Sequence, residues 1–105
     1  MRHEEVSRLI GKWATDPRDL KSLKFYGRVT LEFRIDGTLI YTIHQDRKNQ
    51  NMLLKYRVEN GILITDQPSA PREERTPFFL TEENRLVLKY GRHESVYVRI
   101  EQSGS

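Results

Sequence analysis

The sequence predicts a mainly β domain, an antiparallel up-and-down barrel or half-barrel of about eight strands with a short N-terminal helix. Three observations lead to this fold class. From residue 28 onward, apolar and polar residues alternate with a period of two, the spacing of a strand that buries one face. The dipeptides DG at 36–37 and NG at 60–61 are strong hairpin signals between such segments. Finally, the strands are short and evenly spaced, which is typical of a meander that closes on itself.

The first ten residues predict the N-terminal helix. Val6, Leu9 and Ile10 have the i, i+3, i+4 spacing of one helical face, and two early glutamates suit the positive end of the helix dipole. Gly11 ends this helix, and the segment KWATD that follows predicts the first strand. We expect a single domain over residues 1–105, with the barrel at 11–101 and a disordered tail at 102–105.

A second short helix is predicted in the segment DPRDLKSLKFYG. Asp16 has the side chain of an N-cap, and Pro17 follows at the first helical position, where its fixed φ is favourable. Leu20 and Leu23 would then form the buried stripe of this helix. Gly27 would end it.

Seven further strands are predicted from the alternation. The fifth is the segment ILIT, and in the sixth, TPFFLT, the proline leaves it open whether Phe78 or Phe79 faces inward. The alternating residues of the others are Val29, Leu31, Phe33 and Ile35 in the second, Leu39, Tyr41 and Ile43 in the third, Met52, Leu54, Tyr56 and Val58 in the fourth, Leu86, Leu88 and Tyr90 in the seventh, and Val96, Val98 and Ile100, between Tyr97 and Arg99, in the eighth.

The composition limits the classes of function. A chain of 105 residues with 36% hydrophobic residues is long enough to bury a core of its own. Lys and Arg total 18 against 15 Asp and Glu, but the two signs are interleaved, which argues against a nucleic-acid partner. The sequence has no cysteine, no apolar run of membrane-spanning length and no signal-peptide pattern. We therefore expect a cytoplasmic protein without a membrane partner.

Residues near the two ends of the barrel segment resemble the lipocalin or calycin pattern. In that pattern a Gly-x-Trp begins the first strand, and a late arginine packs across the indole. The triplets GKW at 11–13 and YVR at 97–99 match it, so the resemblance implies that Gly11, Trp13 and Arg99 close one end of the barrel. A guanidinium over an indole gains cation–π attraction while its N–H groups bind carbonyl oxygens. The implied role is structural.

Over most of its length the chain is also similar to small bacterial proteins without an assigned activity. The shared motifs are W-x-x-D-P, F-x-x-D-G-T-L and T-D-Q-P-S-x-P-R, which begin here at Trp13, Phe33 and Thr65. This resemblance implies a small barrel, with shorter strands than a lipocalin has. Such a barrel can be filled by its own side chains.

The segment TDQPSAPREERT, residues 65–76, interrupts the alternation and has two interpretations. As a rim crossing, it is stiffened by its two prolines. As a binding loop at the open end, it offers Gln67 for hydrogen bonds and Arg72 or Arg75 for an acidic group. Tyr41 and Tyr56 lie on the apolar faces of adjacent predicted strands, and Tyr90 lies on that of a later strand. Their hydroxyls either bind backbone at the rim or line a small pocket.

Catalysis and metal binding have little support in the sequence. It has no cysteine, no serine in a nucleophile elbow and no phosphate-binding glycine loop. His44 and Asp46 would share one strand face, but two ligands do not make a zinc site, and the same pair would need burial in a cleft to act as base and orienter. We therefore expect no catalytic residue, no metal site and no cofactor.

The leading hypothesis is a non-catalytic binding module for a small, partly apolar ligand with an acidic group. The ligand would be held at the open end by Tyr41, Tyr56, Gln67, Arg72 and Arg75. The alternative is a protein-interaction or dimerisation module with a filled barrel, which would use a sheet edge or flat strand faces. A cavity favours the first, and a two-fold contact of more than about 1,000 Å² favours the second. Either a monomer or a homodimer is compatible with the sequence.

Overall fold

The computed structural model of the chain describes residues 7–45, 48–69 and 71–100. Within these ranges a short helix lies between the first two of eight strands, and residues 7–9 are also helical. The elements are β1 (Gly11–Thr15), α1 (Leu20–Tyr26), β2 (Arg28–Phe33), β3 (Thr38–His44), β4 (Asn49–Glu59), β5 (Ile62–Asp66), β6 (Glu73–Leu80), β7 (Arg85–Tyr90) and β8 (His93–Ile100).

The strands form a closed antiparallel barrel in the order of the sequence, which confirms the predicted fold class. Closure is made by β8 and β1, where Trp13 pairs with Arg99 and Thr15 pairs with Tyr97. Of the two alternatives that the sequence left open, the protein therefore forms the closed barrel and not the half-barrel. Residues 1–6 of the predicted N-terminal helix and the predicted tail at 102–105 lie outside the described residues.

The core follows from the alternation, because residues directly opposite each other in an antiparallel pair lie on the same face. Leu31, for example, pairs with Trp13 on one side and with Tyr41 on the other, so all three point inward. The buried residues of this interior form one cluster: Leu9, Trp13, Val29, Leu31, Phe33, Leu39, Tyr56, Leu63, Phe78, Leu86, Leu88 and Tyr97.

The predicted alternation extends two residues too far in β2. The pattern predicts Ile35 on the inward face, but β2 ends at Phe33 and Ile35 is 86% exposed in the hairpin that follows. The chain turns at residues 36–37, where Gly37 has φ 88°. Because Ile35 already lies in this turn, its side chain no longer points into the barrel. In β6 the sequence left open whether Phe78 or Phe79 faces inward. Phe78 is the inward residue, because it is buried while Phe79 is exposed.

In β8 the inward residues are the polar or aromatic ones. Tyr97 pairs with Thr15 and Leu86, and it is fully buried in the core. Ser95 and Arg99 share its face, whereas Val96 and Val98 lie on the outer face, where they are half-buried. Both faces of this strand carry apolar side chains, so hydropathy alone does not identify the inner one.

The second helix begins three residues later than predicted. Asp19 is its N-cap, and the Asp19 Oδ1 atom accepts the backbone N–H of Ser22 at 3.2 Å. Asp16, the predicted cap, is buried elsewhere. It accepts the backbone N–H of Arg18 at 2.9 Å and forms an ion pair with Arg85 at 3.3 Å. Because these contacts occupy the Asp16 carboxylate, Asp19 takes over the cap.

The predicted buried stripe of this helix is wrong at Leu20. That side chain is 71% exposed, and Leu23 is only half-buried. The residue that α1 buries is Ser22, which is 2% exposed. The helix therefore docks through polar contacts, which are described below, and not through a leucine stripe.

The two ends of the barrel differ. At the first, which we call the closed end, lie the helical residues 7–9 and the hairpins at 34–37, 60–61 and 81–84. At the second, which we call the open end, lie α1, the turn at 91–92, and the described residues of the other two connections, which are 45 and 48 in one and 67–69 and 71–72 in the other. The antiparallel order puts every second connection at the same end.

Candidate ligand-binding cavity

The closed end is occupied by Trp13 and Arg99. Trp13 is fully buried, and its indole N–H donates to the Leu9 carbonyl at 2.9 Å. The guanidinium carbon of Arg99 lies 4.2 Å from the centre of the indole. Arg99 also donates through Nη1 to the Ile10 carbonyl at 2.8 Å, and through Nη2 to the Arg8 carbonyl. The pair thus ties residues 8–10 across this end.

Gly11 is required beside this pair for two reasons. Its φ of 126° lies in a region that side chains other than hydrogen disfavour. A Cβ atom at this position would also lie 2.6 Å from Nη1 of Arg99, which is closer than van der Waals contact allows. The absence of a side chain at Gly11 therefore makes room for the guanidinium.

Aromatic side chains fill the half of the interior next to the closed end. Phe33 and Tyr56 pack edge to face with ring centres 5.1 Å apart. The Tyr56 hydroxyl donates to the Arg34 carbonyl, at 2.8 Å, in the first hairpin of this end. Burial raises the pKa of Tyr56, with a smaller contribution from the charge of Asp36. Tyr56 therefore binds backbone beneath the cavity and does not line it.

A cavity of about 390 Å³ occupies the other half of the interior and lies toward the open end. Its apolar part is made mostly of leucine, and its polar part comes from side chains at the ends of the strands and in the 67–72 connection. The apolar lining consists of Leu31, Leu39, Met52, Leu54, Leu63 and Leu88. The polar lining consists of Tyr41, Thr65, Gln67, Arg72, Glu74, Thr76 and Tyr90.

Three of the five residues predicted for the ligand site meet at this cavity, namely Tyr41, Gln67 and Arg72. Tyr56 lies below it. Arg75 lies on the outer face of β6, where it pairs with Ile64 of β5 and forms an ion pair with Glu73 at 3.3 Å.

Three polar residues of the lining were not predicted from the sequence, namely Thr65, Glu74 and Thr76. Glu74 and Thr76 belong to β6, which begins inside the segment that the sequence suggested was a connection. Because these two residues alternate with Arg75, they face inward where Arg75 faces outward. Thr65 lies on a predicted strand, and its alternation with the inward Leu63 was the available signal. Tyr90, which the sequence grouped with Tyr41 and Tyr56 as a possible lining residue, also faces the cavity.

The mouth of the cavity carries charges of both signs. The Arg72 Nε atom lies 3.7 Å from the Glu74 carboxylate, and both side chains are largely exposed. The backbone N–H of Arg72 donates to Asp66 at 2.9 Å, and the Gln67 amide donates to the Ser69 hydroxyl at 3.2 Å. These bonds hold the described residues of this connection, 67–69 and 71–72, at the mouth of the cavity. They also set a carboxylate beside the arginine that the sequence predicted for an acidic ligand.

Helix α1 covers part of the mouth opposite this connection. The Tyr26 ring packs against Tyr90, which lines the cavity, with centres 5.8 Å apart, and against His93 at 5.7 Å. Phe25 packs edge to face with His93 at 6.1 Å, although much of its ring remains exposed. An aromatic group at the end of the helix therefore forms one side of the entrance.

Tyrosine hydroxyls provide neutral hydrogen-bonding groups in the interior. The Tyr90 and Tyr97 hydroxyl oxygens are 3.2 Å apart, and burial raises the pKa of both phenols well above the usual value. Burial also raises the pKa of Tyr41, whose hydroxyl makes no hydrogen bond within the described ranges. All three phenols are therefore protonated at neutral pH.

A serine, a histidine and an aspartate meet under α1. The Ser22 Oγ atom lies 2.7 Å from Asp19 Oδ2, 2.8 Å from His93 Nε2 and 2.9 Å from Ser95 Oγ. In a catalytic triad the histidine accepts the serine proton. Here the carboxylate contacts the serine directly and can only accept, so the serine proton goes to Asp19 and His93 donates to the serine. This cluster therefore docks the helix and does not activate a nucleophile.

The described ranges contain no group of three or more His, Cys, Asp or Glu side chains that could hold a metal ion. His44 Nε2 lies 3.0 Å from the Thr30 hydroxyl, and Asp46 lies outside the described residues. Within the same ranges, no helix has both the length and the apolar character needed to span a bilayer.

In the comparisons with known proteins, no family model matches the chain, and neither a curated protein nor a solved structure matches it significantly. The fold class therefore follows from the strand order and pairing alone. It is an eight-stranded antiparallel barrel, which is compatible with a lipocalin-like barrel.

Proposed function

We propose that the protein binds a small, partly apolar ligand in the cavity at the open end of its barrel. The observation that carries this proposal is the cavity of about 390 Å³, which exists although the rest of the interior is densely filled. Ligand pockets have volumes of roughly 300–1,000 Å³. Because a cavity of about 150 Å³ holds benzene, this one suits a ligand of about 15 non-hydrogen atoms.

The lining indicates which part of the ligand lies where. Water needs about two to four polar partners to occupy a buried site, and the leucine floor offers none. An apolar group on this floor removes leucine surface from water, which stabilises the complex by about 25 cal/mol per Å². The polar end of the ligand would lie toward Tyr41, Gln67 and Arg72.

Arg72 is the proposed partner of an acidic group on the ligand. Its ion pair with Glu74 is exposed, and exposed pairs contribute only about 0–1 kcal/mol. A ligand carboxylate or sulfonate can therefore replace Glu74 at little cost. The repulsion between Glu74 and the incoming acid limits the gain, so we expect the apolar contact to supply most of the affinity.

We also propose that the barrel belongs to the lipocalin or calycin type. The support is the sequential order of eight strands together with the stacked Trp13 and Arg99 at the closed end. A cytoplasmic location is likewise a proposal, supported by a composition without cysteine, which requires no oxidising compartment.

The alternative function, an interaction module, has less support. It relied on a sheet edge or a filled barrel, whereas each described strand pairs on both sides and the interior contains a cavity. The exposed apolar residues on the outer face include Leu53 of β4 and Phe79 of β6. The strand between them, β5, separates these two residues.

Two tryptophan substitutions at adjacent positions test the proposed function. Leu54 lines the cavity, whereas Leu53 points outward and is 61% exposed. The probe is naphthalene-2-sulfonate, which has 14 non-hydrogen atoms and one acidic group, and binding is followed by NMR titration of the leucine methyl groups. We expect the wild type and Leu53→Trp to bind equally, and Leu54→Trp to bind at least about tenfold more weakly. Absence of binding to the folded wild type, or equal binding to Leu54→Trp, would contradict the proposal.

A further inference from the structure

The charged residues of the cavity lining are one arginine and one glutamate. Among the described residues that line the cavity, Arg72 and Glu74 are the only ones with a charged side chain, and the Arg72 Nε atom lies 3.7 Å from the Glu74 carboxylate. Both side chains are largely exposed, whereas the floor of the cavity is made mostly of leucine. The mouth therefore presents two opposite charges side by side, next to an apolar floor.

The backbone determines where the two charged side chains begin. Glu74 pairs with Thr65 of β5, and both residues line the cavity, so Glu74 starts from the inner face of the barrel. The backbone N–H of Arg72 donates to Asp66 Oδ1 at 2.9 Å, which anchors the arginine where the connection meets β6. Both charges therefore reach the same part of the mouth from neighbouring anchored positions.

A ligand with a single charge would satisfy only one member of this pair. Within the described ranges, Arg72 is the only cationic group within ion-pair distance of the Glu74 carboxylate. An acid that binds Arg72 therefore places a second negative charge beside Glu74, and like charges in contact disfavour binding. An amine that binds Glu74 meets the same difficulty with Arg72. A ligand that carries both charges avoids this repulsion.

We infer that the cavity selects zwitterionic ligands whose carboxylate and ammonium are attached to the same carbon atom, as in an α-amino acid with a large apolar side chain. The inference rests on the proposed function and adds the second charge of the ligand. The carboxylate binds Arg72, the ammonium binds Glu74, and the apolar side chain lies on the leucine floor. Because the head group stays at the exposed mouth, both of its charges keep much of their hydration, and the cost of desolvation is small.

Two probes with the same naphthyl group test the inference. At neutral pH, 3-(2-naphthyl)alanine is a zwitterion, whereas 3-(2-naphthyl)propanoate lacks the ammonium group and is an anion. We expect the wild type to bind the zwitterion at least about threefold more tightly at low ionic strength, as measured by NMR titration of the leucine methyl groups. The preference should decrease in about 1 M salt, because salt screens exposed charges.

Glu74→Gln and Glu73→Gln form a matched pair, because each removes one negative charge from β6. Glu74 faces the cavity, whereas Glu73 faces outward, where it forms ion pairs with Arg57 and Arg75. Glu74→Gln removes the partner of the ammonium and the repulsion of the carboxylate, so this variant should bind the anion at least as tightly as the zwitterion. Glu73→Gln should keep the wild-type ratio of the two dissociation constants.

The outcomes separate the two proposals. If neither probe binds the folded wild type, the proposed function fails and the inference fails with it. If the wild type binds the anion as tightly as the zwitterion, if Glu74→Gln keeps the preference for the zwitterion, or if Glu73→Gln abolishes it, the inference is overturned and the cavity remains a binding site. Circular dichroism melting of each variant shows that the barrel is intact before the ratio is interpreted.

Discussion

The guanidinium of Arg99 is stacked on the indole of Trp13, and the same guanidinium binds two backbone carbonyls of the segment that precedes β1. This contact joins the last strand to the start of the first at the end opposite the cavity. The arrangement divides the barrel into two parts. One end is held by packing and hydrogen bonds, and the other contains the cavity.

Replacing Arg99 with lysine tests whether the planar guanidinium is needed. Lysine keeps the charge but has no fork of N–H groups to reach both the Ile10 and the Arg8 carbonyls, and it loses most of the stacking. We expect the free energy of unfolding to fall by about 1–3 kcal/mol, as measured by urea denaturation. Arg92→Lys, in the exposed turn before β8, should change it by less than about 0.5 kcal/mol. Equal effects of the two changes would contradict this role of Arg99.

Gly11→Ala should destabilise the barrel more than Gly91→Ala. Both glycines have positive φ, so each change strains the backbone by about 1–2 kcal/mol. Only at Gly11 does the new methyl group also collide with Arg99, since no atom lies within 4 Å of a Cβ at Gly91. Combining Gly11→Ala with Arg99→Ala removes this collision, so the double variant should lose less stability than the sum of the two single variants. Additive losses in urea denaturation would contradict the collision.

The fold could be predicted from the sequence because most strands bury only one face. In β2, and in β4 from Met52 onward, the inward positions are apolar and the outward positions are mostly polar, so a period of two is visible. The pattern fails where this contrast is absent. Val96, Tyr97 and Val98 of β8 are all apolar, and the inner face is determined by the pairing of Tyr97 with Thr15 and Leu86 across two neighbouring strands.

The candidate site was less predictable from the sequence. The alternation of apolar and polar residues indicates whether a side chain points inward, but not how far along the barrel axis it lies. Tyr41 and Tyr56 have the same pattern and both point inward, yet one lines the cavity and the other hydrogen-bonds to the closed end. The Ser22 cluster brings together residues more than 70 positions apart. Only the closure of the barrel and the docking of α1 create these contacts.

The two tyrosines therefore predict opposite phenotypes for the same substitution. Tyr56→Phe removes a hydrogen bond to the backbone carbonyl of Arg34, so we expect a loss of about 1 kcal/mol of stability and unchanged binding of naphthalene-2-sulfonate. Tyr41→Phe removes a hydroxyl that bonds to no described residue, so stability should change by less than about 0.5 kcal/mol while binding weakens. Urea denaturation and NMR titration of both variants check these expectations. A reversal of the two phenotypes would contradict the placement of Tyr41 at the cavity and of Tyr56 next to the closed end.

The lowered pKa of Asp19 predicts how the free energy of unfolding depends on pH. The hydrogen bonds from Ser22 and Val96 outweigh the effect of burial and lower the pKa of Asp19 in the folded protein below its usual value. A group whose pKa is lowered by folding contributes stability above its unfolded pKa and loses it as the pH falls through the folded value. The free energy of unfolding should therefore decrease below about pH 4, and urea denaturation from pH 7 to pH 2 measures this decrease.

Asp19→Asn is the variant that isolates this contribution. Its amide nitrogen faces a backbone N–H of Ser22 or Val96, so the variant should be less stable than the wild type at pH 7. The two stabilities should converge as the pH falls below about 3, because the wild-type carboxylate is then protonated. Asp36, whose pKa is lowered mainly by hydrogen bonds from Thr38, lies in the exposed hairpin and provides the matched control. Asp36→Asn should keep the part of the acid dependence that Asp19→Asn removes. If the Asp19→Asn and wild-type curves run parallel from pH 7 to pH 2, then Asp19 is not the ionised anchor of α1.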